Sequence, residues 1–466
     1  MSHVVVIGGG VSGLAAALGI KRSLPDVRVT VLEGEAEPGG CARSDRRDGY
    51  VIDRGPNGFL TNTHETHELA REIGLADELT PATDAAQKRL LWFDGALREA
   101  PTGPAAFLAS EMLSPLGKAR VALEPFVGRA PAGSDETVFD FAARRLGREF
   151  ADAFVAPLVL GIAAGDARAI SLRAQFPRLA RLEDEYGGLL RGMLARRREA
   201  RREPTRTVGG PAGPGGRLTT FRGGGVERLI EALRDELGAI VRTSATVTAL
   251  SRESHAAPWT IGLQDGSTFE ADRVILATPS FVTARLLEAV APSAAADLNA
   301  IPYAGVRVLG LGYDRIDVPH PLDGFGFLVP RGHGVRILGC LWTSTLFPWQ
   351  APEGKVLLRI IAGGTVDPGF TNLSDDDALR VARADLERTM GIVAEPEMIH
   401  HVRWENAIPQ YPPGHQNRVA RIMHEIAATP GLHLTGAAYH GTGLNDCVGD
   451  AARVAREVAD ALAPVP

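Results

Sequence analysis

The sequence predicts an α/β fold of two or three domains, and three observations support this prediction. The chain has 466 residues, which is too long for one simple core. Residues 3–33 have the pattern of a strand, a glycine-rich turn, a helix and a second strand, and residues 432–466 again have a strand, a loop and a helix. Residues 105–200 are rich in alanine, leucine and arginine, which predicts a mostly helical lobe.

Composition excludes several classes of protein. Hydrophobic residues make up 45% of the chain and charged residues 23%, as in ordinary globular proteins. The formal net charge of −6 excludes a dedicated nucleic-acid binder. No run of about 18 apolar residues occurs, so we expect no membrane-spanning helix. The three cysteines are far apart and the first strand follows no charged leader, which together predict a reducing, cytoplasmic location.

The remaining elements are predicted from apolar periodicity and turn residues. The segment 196–216 is basic at first and then rich in glycine and proline, and it predicts a mobile loop because it has little to bury. The predicted elements are strand 3–8, helix 13–24, strand 27–33, a helix near 225–238, strands through 241–277, strands at 306–314, 337–343 and 355–362, helix 375–390, strand 432–436 and a final helix.

The stretch HVVVIGGGVSGLAAAL contains the motif G-x-G-x-x-G directly after the first strand. Gly8 allows a tight turn, Gly10 lets the backbone approach a diphosphate, and Gly13 lets helix and strand pack closely. The N–H groups of Gly9, Val11 and Ser12 complete this turn at a helix N-terminus, where the partial positive charge favours phosphate. Glu33 ends the second strand about 20 residues further on, where a carboxylate would hold ribose hydroxyls. We therefore predict a dinucleotide site.

Two more glycine-rich segments favour FAD over a nicotinamide dinucleotide. EAEPGGCARS (35–44) follows Glu33 and predicts a second loop around the phosphates, and DRGPNGF (53–59) predicts a turn against a flat ring. LTGAAYHGTGLNDCVGDAARVAREVADAL (434–462) predicts a loop that enters a helix, whose N-terminus would stabilise an anionic reduced flavin. Neither Cys41 nor Cys447 lies in an attachment motif, so the FAD is expected to be bound without a covalent link.

Together these motifs resemble the flavin amine oxidase and phytoene desaturase superfamily. Further strings, in the family's order and over essentially the whole chain, resemble the protoporphyrinogen oxidase family, which oxidises a porphyrinogen to the porphyrin in haem synthesis. These strings are QKRLLWFDGALREAPTGP (87–104), GFGFLVP (324–330), RILGCLWTS (336–344), AIPQYPPGH (407–415) and GTGLNDC (441–447).

The resemblance implies an FAD-binding Rossmann-like domain, a mixed-sheet substrate domain and an inserted helical lobe. The FAD-binding domain is expected at 1–60, 215–280 and 405–466, the substrate domain at 61–90 and 281–404, and the lobe at 91–214. The lobe is membrane-associated in the family. Together with the basic run near 196–206, it favours peripheral contact with an anionic membrane at the inner face of the cell membrane.

The resemblance also implies site residues. Asn57 stands where animal enzymes carry arginine, so it is expected to position substrate or flavin by hydrogen bonds. The cofactor residues are Gly8, Gly9, Gly10, Val11, Ser12, Gly13, Glu33, Gly34, Gly40, Cys41, Arg43, Gly55, Pro56, Asn57, Gly58, Val247, Trp404, Ala437, Thr442, Gly443 and Leu444. The substrate residues are Arg89, Asn57, Gly161, Ala163, Phe325, Gly326, Leu328 and Leu341.

The expected reaction is the oxidation of protoporphyrinogen IX to protoporphyrin IX, with six electrons removed in three hydride steps and O₂ as acceptor. Arg89 would bind a propionate through its planar guanidinium, a contact worth roughly 1.5–3 kcal/mol. The product is aromatic, so no catalytic base is assigned, and no metal site is expected because His64 and His67 lack the spacing of a zinc helix.

Alternatives remain open from the sequence. Coproporphyrinogen III oxidation to coproporphyrin III is the nearest, although its four propionates should require more cations than Arg89, and no second cluster can be placed. A flavin amine oxidase or carotenoid desaturase is less favoured, since only Tyr439 is a candidate for an aromatic cage. A non-catalytic tetrapyrrole-binding flavoprotein and a homodimer are also left open.

Overall fold

The computed structural model describes residues 2–131, 133–202, 216–254 and 256–463, and it has the predicted α/β fold. The strands are β1 (His3–Ile7), β2 (Arg28–Leu32), β3 (Ser44–Arg47), β4 (Tyr50–Asp53), β5 (Phe59–Leu60), β6 (Leu79–Pro81), β7 (Leu90–Phe93), β8 (Ala96–Glu99), β9 (Leu218–Phe221), β10 (Val241–Arg242), β11 (Val247–Ser251), β12 (Trp259–Leu263), β13 (Thr268–Ala271), β14 (Arg273–Leu276), β15 (Tyr303–Asp314), β16 (Gly326–Leu328), β17 (Gly339–Trp342), β18 (Lys355–Gly363), β19 (Met398–Pro409) and β20 (Leu432–Leu434).

The helices include most of the lobe between β8 and β9. They are α1 (Val11–Ser23), α2 (Glu65–Glu72), α3 (Pro104–Ala109), α4 (Pro115–Ala122), α5 (Val138–Leu146), α6 (Arg148–Phe150), α7 (Ala156–Ala163), α8 (Leu172–Gln175), α9 (Pro177–Tyr186), α10 (Leu189–Arg202), α11 (Glu227–Leu237), α12 (Ser280–Leu287), α13 (Pro292–Asn299), α14 (Thr343–Leu346), α15 (Pro368–Thr371), α16 (Asp375–Met390), α17 (His415–Ala427) and α18 (Leu444–Leu462).

A parallel five-stranded sheet forms the first domain, with strand order β10-β2-β1-β14-β20. Its central strand is apolar on both faces because both faces are covered. Helices α1, α11 and α18 pack on one face, and β11–β13 with α12, α13 and α17 cover the other. The carboxyl ends of the parallel strands therefore meet at one edge, where ligands bind in such sheets.

A seven-stranded mixed sheet forms the second domain, with strand order β19-β15-β18-β17-β16-β7-β8. One face packs against α16 through a large apolar cluster that includes Leu358, Ala382 and Leu386. The opposite face meets Tyr50 and Ile52 at one end and Leu160 of α7 further along. Between these contacts the second face carries the half-buried side chains of Leu328 and Leu341, and we call the space in front of this part of the face the cleft.

Three placements differ from the expected boundaries. Strands β7 and β8 lie in the seven-stranded sheet, although residues 91–99 were assigned to the helical lobe. Helices α12 and α13 pack with the parallel sheet, although residues 281–299 were assigned to the substrate domain. Helix α10 continues through Arg202, so 196–202 is helical and not a loop. The rest of that predicted loop, up to 215, lies outside the described residues.

None of the helices in the described ranges is both long enough and apolar enough to cross a bilayer.

Candidate active site

The first glycine loop leaves an open space in front of α1. Gly8 has φ +109°, and a Cβ there would lie 2.9 Å from the carbonyl oxygen of Ala277. A Cβ on Gly13 would lie 1.9 Å from the carbonyl oxygen of Gly8, so helix and strand need glycine to pack. Gly10 caps α1 with φ −73°, and a Cβ there would meet no protein atom within 4 Å. The helix N-terminus thus faces space that a diphosphate fits.

The first turn of α1 and Glu33 border the same space. Val11 and Ser12 form that first turn, with Val11 partly exposed and Ser12 buried. Glu33 follows β2, and its carboxylate accepts hydrogen bonds from the N–H groups of Gly9 (2.6 Å) and Glu35 (2.8 Å). This carboxylate lies at the edge of the sheet, where it can hold the ribose of a dinucleotide.

Gly34 and Val247 lie beside Glu33, on the side where the resemblance implies the adenine. A Cβ on Gly34 would be 3.1 Å from Thr246 Oγ1, and the N–H of Ala245 donates to the carbonyl of Glu33 (2.8 Å). Val247 starts β11 and is half-buried. The structure brings these residues together on one side of the loop.

The second glycine loop packs directly on the first. The N–H of Gly39 donates to the carbonyl of Gly9 (2.8 Å), and a Cβ on Gly40 would be 3.7 Å from Gly10 Cα. A Cβ on Gly55 would lie 2.3 Å from the carbonyl oxygen of Cys41, so the Gly55 loop packs on the second loop in turn. Three backbone segments converge here without intervening side chains, which suits a ligand that the chain wraps.

Arg43 does not present a free cation to this space. Its guanidinium pairs with Glu37, and its Nε lies 3.5 Å from a carboxylate oxygen of Glu227. Any contact with a phosphate would therefore compete with these two carboxylates.

The Gly55–Gly58 segment carries an orphaned polar group. Pro56 and Asn57 are half-buried, and Asn57 Nδ2 is a buried donor without a partner. A Cβ on Gly58 would lie 2.4 Å from the carbonyl oxygen of Thr219, so the turn is held close to β9. An unpaired buried donor is costly, and a bound ligand with an acceptor atom would satisfy it.

The closing segment of the chain reaches the same crevice. Gly443 is the N-cap of α18, and Leu444 is the first residue of that helix. The N–H of Gly443 donates a hydrogen bond to the carboxylate of Asp446 (3.1 Å). Half-buried Thr442 precedes the cap. Tyr411 Oη donates to the carbonyl of Ala437.

Two further contacts fix this region. Asn445 Nδ2 donates to the carbonyl of Leu60 (2.8 Å), which ties α18 to the strand that follows the Gly55–Gly58 turn. Trp404 of β19 donates from Nε1 to the carbonyl of Arg54 (2.9 Å), and the Arg54 guanidinium lies 5.6 Å from the Trp404 ring centre. The three glycine loops, the start of α18 and Trp404 thus surround one crevice.

Three of the eight predicted substrate residues, Gly326, Leu328 and Leu341, share one face of the seven-stranded sheet. Gly326 pairs with Leu341, and Leu328 pairs with Gly339, so all four lie on the cleft side of β16 and β17. Leu328 and Leu341 are half-buried, whereas Phe327 and Cys340 on the other face are fully packed.

Helix α7 forms the roof over part of this floor. A Cβ on Gly161 would be 2.6 Å from Leu328 Cδ2, so Gly161 lies directly on the sheet. Ala163 is fully buried, and its carbonyl accepts a hydrogen bond from Gln410 Nε2 (2.9 Å). The backbone near Gly161 therefore borders the cleft, while the carbonyl of Ala163 is already engaged.

Arg89 lies at the open end of this face. It precedes β7 and shares a face with Leu91, which pairs with Leu328. Its guanidinium is 5.4 Å from the centre of the half-buried Phe325 ring, and it makes no ion pair with any carboxylate of the described residues. Desolvation lowers the pKa of Arg89. Such an unpaired guanidinium can bind a substrate carboxylate.

Two arginines that the sequence did not reveal also lie on this face. Arg98 of β8 pairs with Leu91, which places it beside Arg89. Its Nη1 donates to the exposed Glu111 (2.6 Å), and its Nε is buried without a partner. Arg359 of β18 pairs with Leu341. No local motif marks either residue, because only strand register brings them to the cleft.

A buried histidine supports the closing segment. His415 begins α17, is 1% exposed and stacks on Tyr411 with ring centres 4.1 Å apart. Burial, with the nearby Arg418, lowers the pKa of His415 to about 4. The imidazole is therefore neutral at neutral pH, whereas an unfolded histidine titrates near about 6.5.

We expect His415 to make the fold acid-sensitive. The unfolded state binds a proton below about pH 6.5 and the folded state resists it until about pH 4, so up to about 3 kcal/mol of stability is lost as the pH falls through that window. In His415→Phe, the free energy of unfolding measured by denaturant titration should fall less between pH 7 and pH 5 than in the wild type. The control His424→Phe changes an exposed histidine of the same helix. Equal pH dependence in both variants would contradict the assignment.

Comparisons with known proteins agree with this geometry. The sequence model of a family described as flavin containing amine oxidoreductase matches residues 11–459. The coproporphyrinogen III oxidase of Bacillus subtilis (strain 168) is 32% identical over 99% of this chain and 98% of its own length. The protoporphyrinogen oxidase of Homo sapiens is 33% identical over 96% of both chains. A crystal structure from Exiguobacterium sp. 255-15, of a protein provisionally named a protoporphyrinogen oxidase, superposes with a TM-score of 0.82 at 26% identity over 99% of both chains.

Proposed function

Because the chain belongs to the flavin containing amine oxidoreductase family, we propose that it oxidises a porphyrinogen to the porphyrin in haem biosynthesis. It is an FAD-dependent oxidase, as the resemblance implied. The observation that carries the substrate proposal is the cleft itself. A crevice of three glycine loops opens beside an apolar sheet face that ends in an unpaired arginine.

The residues present fit the cofactor. The space before Gly10 and the α1 N-terminus would take the diphosphate, Glu33 would take the adenosine ribose, and the orphaned Asn57 Nδ2 would gain an acceptor. The start of α18 would place a helix N-terminus at the ring system, where it favours negative charge. When bound, FAD supplies the two-electron chemistry, with O₂ as the proposed final acceptor.

The chain's own residues position the substrate and exclude water. Leu328, Leu341 and Phe325 would contact the apolar macrocycle, while Arg89 would bind a propionate at the open end. Arg89 lies in register with Gly326 and so with Leu341 and Arg359, a row of three strand steps or about 14 Å. The length of that row is comparable to the width of a tetrapyrrole macrocycle. We assign no catalytic base, because formation of the aromatic porphyrin makes the overall six-electron oxidation strongly favourable.

Coproporphyrinogen III is the substrate that we favour over protoporphyrinogen IX. The sequence argument for protoporphyrinogen was that a second cation could not be placed. Arg98 lies beside Arg89 on the cleft face, and its Nε is a buried donor without a partner, although its Nη1 donates to the exposed Glu111. A propionate would have to compete with that surface pair, which is weak because Glu111 is exposed to solvent. Coproporphyrinogen carries four propionates and would use both arginines. Relatives named coproporphyrinogen III oxidase are 30–32% identical and relatives named protoporphyrinogen oxidase are 29–33% identical, so the preference rests on the arginines and not on sequence identity.

Turnover of both porphyrinogens under O₂, followed by porphyrin fluorescence, tests this proposal. We expect paired flavin absorption bands in the purified protein and a higher kcat/KM for coproporphyrinogen III. Faster turnover of protoporphyrinogen IX would reverse the preference. If the flavin stays oxidised when the protein is mixed with each of the two porphyrinogens in a stopped-flow experiment, the protein is a carrier and the proposal is overturned.

We further propose that the helical lobe contacts the inner face of the cell membrane from the cytoplasm. Large apolar side chains are exposed on it, including Leu116 and Phe126 at 82% each. Arg197 and Arg198 of α10 are exposed in the same lobe. Apolar and basic side chains together suit an anionic lipid surface.

We expect the wild type to sediment with anionic vesicles at low salt. The double variant Leu116→Asp with Phe126→Asp should lose most of this binding, because it replaces exposed apolar area by charge. Ile316→Asp with Val393→Asp is the matched control, since both side chains are exposed but lie outside the lobe. Wild-type protein that stays wholly in the supernatant would refute lipid contact, as would equal loss in both variants.

A further inference from the structure

Arg359 is a buried cation without a carboxylate partner. It is 4% exposed, and it makes no ion pair among the described residues. Its Nε donates to the carbonyl of Asp53 (3.2 Å), and its Nη2 donates to the carbonyl of Gly55. Burying a charge in this way is costly, and a sheet could be built with an apolar side chain instead. The position therefore calls for a reason beyond packing.

Among the described residues, the charged group that faces Arg359 is Asp53, and its carboxylate is already engaged elsewhere. Asp53 is fully buried, and its carboxylate accepts hydrogen bonds from Ser44 Oγ (2.6 Å), Gln350 Nε2 (3.0 Å) and the N–H of Val226 (3.1 Å). Burial raises the pKa of Asp53 and lowers the pKa of Arg359. Leu341 and Gly310, which flank Arg359 in the sheet, carry no charge.

The location of Arg359 relates it to the cofactor and not to the substrate. Its side chain lies on the cleft face, directly under the backbone that leads into the Gly55–Gly58 turn. Arg89 occupies the other end of the same row. Because Nε and Nη2 already donate to two carbonyls and only 4% of the residue is exposed, Arg359 is poorly placed to anchor a substrate carboxylate.

We propose that Arg359 is a positioning residue for the flavin, which fixes the Asp53–Gly58 backbone and would hold a positive charge near the cofactor when it is bound. This inference rests on the proposed function. A flavin that takes up a hydride receives two electrons and one proton, so it gains one negative charge. A fixed cation in a site of low dielectric stabilises that charge without reorganisation.

The test measures the flavin alone and needs no porphyrinogen. Sulfite adds to oxidised flavin and leaves the same negative charge on the ring, so its Kd reports the local potential. We expect Arg359→Met to raise the sulfite Kd about tenfold or more and to lower the two-electron midpoint potential by about 30 mV or more, since tenfold corresponds to about 30 mV for such a couple. Arg359→Lys keeps the charge and should restore most of both values.

Matched variants keep the test decisive. Arg307→Met changes another buried arginine, on the next strand but the opposite sheet face, where it pairs with Asp375, and it should leave both values unchanged. If Arg359→Met holds FAD with wild-type sulfite Kd and potential, the proposal is overturned. If it cannot hold FAD, Arg359→Gln replaces it, because the amide can still donate to a backbone carbonyl but carries no charge. Arg359→Gln should weaken sulfite binding in the same way, and a wild-type sulfite Kd would again overturn the proposal.

The two proposals fail in distinguishable ways. A wild-type protein that holds FAD but oxidises neither porphyrinogen would refute the proposed substrate. The sulfite Kd and the potential of the Arg359 variants would still be measurable on that protein.

Discussion

Gly10→Val should abolish FAD binding and leave the apoprotein folded. A Cβ at Gly10 would meet no protein atom within 4 Å, and the backbone there has φ −73°, which valine can adopt. The free energy of unfolding of the apoprotein should therefore fall only by the amount by which valine is a poorer N-cap residue than glycine, about 1 kcal/mol. The new side chain would occupy the space in front of the α1 N-terminus, where the diphosphate would bind. We expect a colourless protein with near wild-type circular dichroism.

Gly128→Val is the matched control for this experiment. Gly128 also has open space at the position of a Cβ, but it lies in the helical lobe. This variant should keep its yellow colour and its full flavin content by absorbance after denaturation. A Gly10→Val protein that retains flavin through purification would show that the diphosphate lies elsewhere.

Arg89→Ala should raise KM much more than it lowers kcat. The propionate contact is made equally in the ground state and the transition state, so its loss removes uniform binding. A charge-assisted hydrogen bond is worth about 1.5–3 kcal/mol, which predicts a rise in KM of about 10-fold or more. Steady-state turnover of coproporphyrinogen III under O₂ gives both constants.

Lys88→Ala provides the control for charge alone. Lys88 is the adjacent residue, but its ammonium group pairs with Asp323 (2.6 Å) and so does not serve the cleft. The KM of the Lys88→Ala variant should therefore stay close to that of the wild type. If Arg89→Ala lowers kcat with KM unchanged, Arg89 acts in the chemical step and its assignment as an anchor is wrong.

Sequence patterns were sufficient to predict the parts of the fold and of the site that depend on residues close together in the chain. The G-x-G-x-x-G turn, Glu33 after β2 and helix 375–390 all follow from local spacing, and the structure confirms their placement. The Ser374 side chain caps that helix by accepting from the N–H of Asp377 (3.1 Å), a local interaction that the sequence already contains.

Residues whose role depends on strand register could not be found in this way. Arg98 and Arg359 lie in different strands, and a shift of one residue in either pairing would turn the side chain to the α16 side of the sheet. The β7–β8 hairpin lies in the seven-stranded sheet, whereas the sequence predicts residues 91–99 in the helical lobe, because its partner β16 is more than 200 residues away. Pairing between strands that are far apart in the chain leaves no pattern in the sequence of either strand alone.

The roof formed by Gly161 sets the direction in which a ligand can approach. Helix α7 touches Leu328 there, so the cleft is closed on that side, while Arg89 lies one strand from the free β8 edge. A macrocycle would thus pass inward with the propionate-bearing edge that Arg89 binds trailing at the mouth. Those carboxylates would keep part of their hydration shell throughout, which spares the protein most of the cost of dehydrating them.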